Sequence, residues 1–347
     1  MEMVSECEWV VVGLDNGATS DNATVMDQSG KYLVDSLLET PSNVQLGPEA
    51  AVEALVDAFD RALAATGAGR RMARAIGLDS PGPASADGVI SSKGSTNFAQ
   101  MAWRGFDLRG AMERRLGIPV VYNNDGNAAA LYAHHLYFAE SAAKRSSISA
   151  IVGTGLGGGV IESGRVIRGA AGMANELGHV HIPMEGLLAE GQPRPVCNCG
   201  FTGDAESVAS LTGIEKNLLP DWLTRFPEHD LARESNMSRA AKMIREYGDR
   251  GDPMALEIFS QQAMALGRLF TIAGNFFDPD AYFIGGGVVE ATEHFREWFL
   301  GKIREYTTLR QEQFDVVTFA LVPDLDTAGA RGAALAAAAS ISAAAVA

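Results

Sequence analysis

The sequence is short of positive charge, of cysteine and of long apolar runs. Its 28 Lys and Arg face 43 Asp and Glu, a formal net charge of −15. A broadly acidic surface repels nucleic acid and anionic lipid, so neither nucleic acid nor a membrane is an expected partner. Phosphate can still bind where backbone N–H groups converge. No apolar stretch approaches the roughly 20 residues that span a bilayer. The opening, MEMVSECEWVVVGLD, is acidic and shows neither the basic n-region nor the cleavage site of a secretory signal. The 3 cysteines leave an odd thiol, and Cys197 and Cys199 sit one residue apart, a spacing that suits a metal better than a disulfide framework. A reducing, cytoplasmic setting is the expectation. Two nucleotide motifs are missing as well: no Gly-Lys-Ser/Thr closes a Walker A loop, and no glycine fingerprint leads into a helix.

What is present is an ordinary globular composition, 47% hydrophobic and 20% charged over 347 residues, long enough to divide into two domains. Trp9 to Leu14 is a continuous apolar run that reads as a buried strand, followed by a small-residue turn and a hairpin turn at Gln28-Ser29-Gly30-Lys31. The same order recurs later. Ile148 to Val152 reads as the strand, Gly153 to Gly159 as the turn and Glu162-Ser163-Gly164-Arg165 as the hairpin turn. Two such openings predict duplicated α/β domains. Helices are expected at Glu49 to Ala65, Phe106 to Leu116, Gly126 to Phe138 and Pro253 to Phe277. Strands are expected at Met72 to Leu78, Pro119 to Tyr122, Tyr282 to Ile284 and Phe314 to Val322. The alternation predicts a mostly parallel or mixed sheet with covered faces. The Ala-rich end is a strong helix former that frays at its tip.

Three glycine clusters follow strands. In Asp15-Asn16-Gly17-Ala18-Thr19 the small residues let the backbone approach an oxyanion and Thr19 adds a hydroxyl donor. Asp15 can hold Mg²⁺ through water, or the segment is a plain hairpin turn. Gly153-Thr154-Gly155-Leu156-Gly157-Gly158-Gly159 has more glycine than a simple reversal needs, which favours a backbone cradle for phosphate. Gly285-Gly286-Gly287 either leaves room for a flat group such as adenine or makes a tight strand-to-helix turn.

Asn124 and Asp125 stand where a strand ends and a helix begins, the edge at which ligands bind in open α/β sheets. Asp125 is placed to accept a hydroxyl proton as that oxygen attacks phosphorus, or to cap the helix, or both. Glu176 and His179, three residues apart, share one side of a helical turn and can bind adjacent hydroxyls. Cys197, Cys199 and His179 are good Zn²⁺ ligands, and Asp204 can be the fourth. The alternative is two free buried thiols.

Taken in order, LDNGAT, SPGP, NDGNAAAL, GTGLGGG, ELGH, CNCG with GDAE, and IGGGV resemble the ROK family of repressors, open reading frames and sugar kinases. The resemblance runs from Val10 to about Ala336. It implies an α/β, actin-like (ribonuclease H-like) two-lobed fold, with duplicated α/β domains around a cleft. It divides the chain into an N-terminal lobe at 1–123, with the C-terminal helix 328–347 packing back on it, and a C-terminal lobe at 124–327 with the zinc-type motif and dimerisation helices. By motif position it makes Asp125 the general base. Asn124, Glu176, His179 and Glu206 would bind the sugar. Asp15, Gly17, Thr19, Thr154 and Gly155 would face ATP and its Mg²⁺, and Gly286 the nucleoside. His179, Cys197 and Cys199 would ligate a structural Zn²⁺, with Asp204 in question as fourth ligand.

The implied activity is ATP-dependent phosphorylation of a hexose hydroxyl, the 6-hydroxyl of glucose in the first instance. Other hexoses, N-acetylhexosamines and cyclitols are alternatives, polyphosphate is an alternative donor, and a non-catalytic sugar sensor is the rival of another class. A homodimer is expected. The first phosphate turn begins near residue 13, which leaves no room before it for a DNA-binding helix-turn-helix. Three departures from the family pattern stand out. Ala18 replaces a glycine, Asp204 replaces a third cysteine, and Met184 to Pro195 forms a longer loop, expected at the cleft mouth.

Overall fold

The computed structural model describes residues 7–82, 84–91, 98–322 and 327–344. The first six residues, Pro83 of the SPGP motif and the chain tip at 345–347 lie outside them. The chain divides into two units. The first comprises 1–140, 164–175 and 324–347, and the second 141–163 and 176–323.

In the first unit, β1 (Val10–Asn16) and β2 (Ser20–Asp27) form a hairpin, and β3 (Leu38–Pro41) lies outside β2. Helix α1 (Pro48–Thr66) starts on a proline, which needs no N–H there, and stops at Gly67 with φ 74°. Strand β4 (Ala73–Ser80) pairs parallel to β1. Helix α2 (Leu108–Leu116), β5 (Val120–Asn124) and α3 (Asp125–Phe138) follow. The sheet order is β3-β2-β1-β4-β5, which leaves β5 at an edge.

Alternation along β1 sorts its residues to two faces. Val10, Val12 and Leu14 join a core with Phe59, Phe98 and Trp103 under α1 and α2. Val11 faces the other way, toward Ala334 and Ala337 of the C-terminal helix Ala328–Ala344. That helix packs on β1, β4 and α3. Its alanines let main chain meet main chain: a Cβ on Gly13 would lie 1.9 Å from the carbonyl of Ala330. Arg331 holds its rim, donating to the Tyr132 hydroxyl at 3.0 Å with its guanidinium 4.8 Å from the Tyr32 ring.

The second unit repeats the pairing plan. Strand β6 (Ser147–Val152) pairs antiparallel with β7 (Leu156–Glu162), and β9 (Ala281–Gly285) is parallel to β6; the two-residue β8 (Arg165–Val166), between β7 and β9 in sequence, falls in the 164–175 span of the first unit. Strand β10 (Thr318–Val322) is parallel to β9. The helix Pro253–Phe277 has the expected bounds, because Asp252 accepts from the N–H of Ala255 at 2.9 Å at one end and Asp278 turns left-handed at the other. Among the described residues no helix is long and apolar enough to cross a membrane.

Several expectations shift. Residues 124–140 group with the first unit rather than opening the second, because α3 packs on β5 and the C-terminal helix. Phe314 closes a short helix, Gln311–Phe314, and the strand starts only at Thr318. The glycine turn ends at Gly155, and Gly157 to Gly159 belong to β7. At Gly158 the ladder is tight: a Cβ there would lie 2.1 Å from the Ser149 carbonyl and 3.1 Å from Leu177. The Met184 to Pro195 loop is tied to the helix Pro253–Phe277. Gln261 donates to the Leu187 carbonyl at 3.0 Å and to Gln192 at 2.6 Å.

Candidate active site

In the first unit, Asp15 ends β1 and the Gly17–Thr19 turn joins it to β2. Gly17 donates to the Ser20 carbonyl at 3.0 Å, and a Cβ on it would stand 2.6 Å from the same oxygen. Glycine is therefore required, while Thr19 is exposed at the tip. Asp15 accepts from the Asn22 amide at 3.2 Å, and burial raises its carboxyl above the usual range. Its register partner on β4 is Asp79, fully buried. Neither Asp79 oxygen has a hydrogen-bond donor among the described residues. Burial, then the charges of Asp15 and Asp125, push Asp79 well above the usual carboxylate range. Two carboxyls so placed are stable only with a proton or a cation between them. Sequence reasoning missed Asp79. Its signal was an acid ending an apolar strand, at the same level as Asp15.

At the other side of β4, β5 delivers Asn124 and Asp125. Asn124 is the N-cap of α3, accepting from Gly126 N–H at 2.9 Å and from Asn127 N–H at 3.4 Å. Asp125 is the first helical residue and exposed, and its Oδ1 accepts from Gly126 N–H at 2.7 Å. The capping duty thus falls to the amide, and the carboxylate stands at the carboxyl edge of the sheet.

In the second unit, the Gly153–Gly155 turn is pinned from behind. Thr154 O accepts from Thr212 Oγ1 at 2.8 Å, and Glu206 Oε2 accepts from Leu156 N–H at 2.9 Å. Beside the turn lies a cavity of about 290 Å³ lined by Thr154, Gly287, Ile214, Ile244 and Phe259, with Lys242 and Arg245 at its wall. Gly286 follows β9, and it is its neighbour Gly287 that faces the cavity.

Glu176 precedes the short turn Leu177–His179, whose first hydrogen bond runs from His179 N–H to Glu176 O at 3.0 Å. Packing around the Glu176 carboxyl raises it, with His179 opposing and Glu206 adding to the rise. The four metal candidates come together: donor atoms of His179, Cys197, Cys199 and Asp204 lie within 4.8 Å of one another. His179 Nδ1 is 3.2 Å from Asp204 Oδ2, 3.8 Å from Cys197 Sγ and 3.6 Å from Cys199 Sγ. Zn²⁺ bonds of about 2.3 Å to sulfur and about 2.0–2.1 Å to nitrogen or oxygen give tetrahedral edges of about 3.3–3.8 Å. The donor set fits zinc. Nδ1 points into this cluster, which leaves Nε2 of His179 for another ligand. Glu206, the first residue of the helix Glu206–Ala209, links the cluster to the turn, since its Oε1 lies 3.2 Å from Cys197 Sγ.

The chain belongs to the ROK family, whose family model matches residues 11–340. Its two α/β units are those of the actin-like fold of ROK sugar kinases. A glucokinase of Halalkalibacterium halodurans is 30% identical over 310 residues, covering 86% of this chain and 89% of that one. Among solved structures, the ROK hexokinase of Thermus thermophilus is 32% identical with a TM-score of 0.75, over 96% of this chain and 99% of the other. A ROK family glucokinase from Streptomyces griseus, solved in complex with glucose and AMPPNP, is 28% identical with a TM-score of 0.66, over 94% and 99% of the two chains.

Proposed function

We propose that this chain transfers the terminal phosphoryl group of ATP to a hexose hydroxyl, the 6-hydroxyl of glucose being the leading case, with Asp125 as general base. The observation that carries the reading is the division of labour at the start of α3, where Asn124 caps the helix and Asp125 is left exposed at the sheet edge. The kinship with glucokinases of this length supports the reaction class.

Asp125 accepts the proton of the attacking hydroxyl as the bond to phosphorus forms and the bond to the leaving ADP oxygen breaks. Asn124, Glu176, His179 through Nε2, and Glu206 hold the sugar's hydroxyls. The Gly17–Thr19 and Gly153–Gly155 turns present N–H groups to the phosphates, and the cavity beside Thr154 takes the base. Asp15 and Asp79 are the residues that would hold Mg²⁺, which when bound spreads the charge of the phosphoryl group. His179, Cys197, Cys199 and Asp204 would hold a closed, structural Zn²⁺. The setting is the cytoplasm and the assembly a homodimer.

The test is ADP release measured over hexoses, N-acetylhexosamines and cyclitols, with ATP and with polyphosphate. Asp125→Asn is expected to lower kcat by about 10²–10⁴-fold while glucose affinity changes little. Near-normal turnover in that variant would refute the assignment. Glucose binding with no ADP release by the unaltered protein would make the chain a sugar sensor.

A further inference from the structure

Among the described residues β5 is an edge strand, with no ladder partner on its outer side. Yet it ends in Asn124 and Asp125, whose placement must hold to a fraction of an ångström if Asp125 is to meet a hydroxyl. The segment after β8 supplies what the sheet does not. Arg168 Nη2 donates to the main-chain carbonyl of Tyr122 at 2.6 Å and to the side-chain oxygen of Asn123 at 2.9 Å. Seven residues on, Asn175 Nδ2 donates to Asn127 Oδ1 at 2.9 Å and to the Ile167 carbonyl at 2.6 Å. One residue grips the end of the strand and the other the first turn of the helix, on either side of Asp125.

Asn175 has φ 73°, a left-handed backbone that Asn tolerates better than most residues with a side chain. A glycine would sit there more easily but would lack the amide. The loop between them is also fastened, with Ala86 N–H donating to the Ala171 carbonyl at 3.2 Å. Resting on the reading of Asp125 as the base, we propose that Arg168 and Asn175 are positioning residues, a two-point brace that fixes the Asn124–Asp125 corner for phosphoryl transfer.

The test compares Arg168→Met, Asn175→Gly and Asp125→Asn in the full chain. For each, kcat, the KM for hexose, the affinity and stoichiometry for AMPPNP, and the melting temperature are measured. A misplacement of about 1 Å at a reacting group can cost about 100-fold, so kcat is expected to fall about 10- to 100-fold in Arg168→Met and about 10-fold in Asn175→Gly. AMPPNP affinity should stay within about twofold, because its base cavity lies in the other unit. Asn175→Gly is the decisive variant, since it relaxes the backbone while removing the amide. Its melting temperature should hold while its kcat falls.

Unchanged kcat in Asn175→Gly and Arg168→Met, with Asp125→Asn inactive, overturns the brace and leaves the base assignment standing. Activity lost only in step with AMPPNP stoichiometry makes the two residues merely structural, and also overturns it. Turnover retained in Asp125→Asn sinks the base assignment itself, and the brace with it.

Discussion

Replacing Asp21 with Asn should make the protein more stable at neutral pH, and the gain can be worked out from the structure. Asp21 lies opposite Asn16 at the base of the first turn and is fully buried. Its Oδ1 accepts from the Asn16 amide at 2.6 Å, while Oδ2 has no partner among the described residues. Burial is the main cause that pushes its carboxyl up from the usual 3.8 to about 7, with the Asn16 bond opposing and Asp15 adding to the rise. Below the unfolded value both states hold the proton, and stability is full. As pH rises toward 7 the unfolded chain releases its proton while the folded chain keeps it, so stability falls. A rise of about three units, at about 1.4 kcal/mol each, sets a ceiling of about 4 kcal/mol on the loss. Asn is neutral throughout, and its oxygen can still accept from Asn16.

Urea unfolding followed by tryptophan fluorescence at pH 5 and pH 8 checks this. The advantage of Asp21→Asn over the unaltered chain should grow by about 2–3 kcal/mol between those two values. Titrating groups that do not couple to Asp21 cancel in the difference, and Asp15, which does couple, is the smallest of the causes at Asp21. Parallel stability profiles for the two proteins would refute the reasoning.

The metal cluster predicts about one zinc per chain by elemental analysis, and a lower melting temperature after chelation. Asp204→Ala should lose the metal and Asp204→Cys keep it. Gly158→Ala should destabilise by about 1–3 kcal/mol, read from the urea midpoint, because its Cβ would meet the Ser149 carbonyl at 2.1 Å. Gly287→Phe tests the base cavity. A Cβ there meets nothing within 4 Å, so the fold should survive while the ring fills the space, raising the KM for ATP at least about tenfold with hexose affinity kept.

What was legible in the sequence was local. The proline and acid that open the helix at Pro253, and the strand-turn-strand order at Trp9 and again at Ile148, are short-range signals, and the structure follows them. The Cys197–Cys199 pair, His179 and Asp204 also declared themselves, because ligand chemistry restricts residue type. Other features were set by register and not by pattern. Gly157 to Gly159 looked like turn residues but belong to β7, and the smallness of Gly158 answers to Ser149 across the ladder and to Leu177. Asp79 is ordinary until β4 aligns it with Asp15. Arg168 is 46 positions from the carbonyl it holds, and nothing in its neighbourhood announces that contact. Asp125 reads on paper as a base or a helix cap, and the helix geometry gives the N-cap to Asn124 instead.

The cover of β1 and β4 by the Ala328–Ala344 helix has a consequence for the order in which the protein is made. On the ribosome the first sheet emerges with one face bare, and the segment that shields it is translated only after the second unit. At about 5–20 residues per second the wait lasts on the order of tens of seconds, during which the second unit is synthesised as an insertion. Nascent chains stalled short of residue 328 should therefore recruit chaperones at Val11 and Ala75, and a deletion of 328–344 will disturb biogenesis of a sheet whose own residues it leaves unchanged.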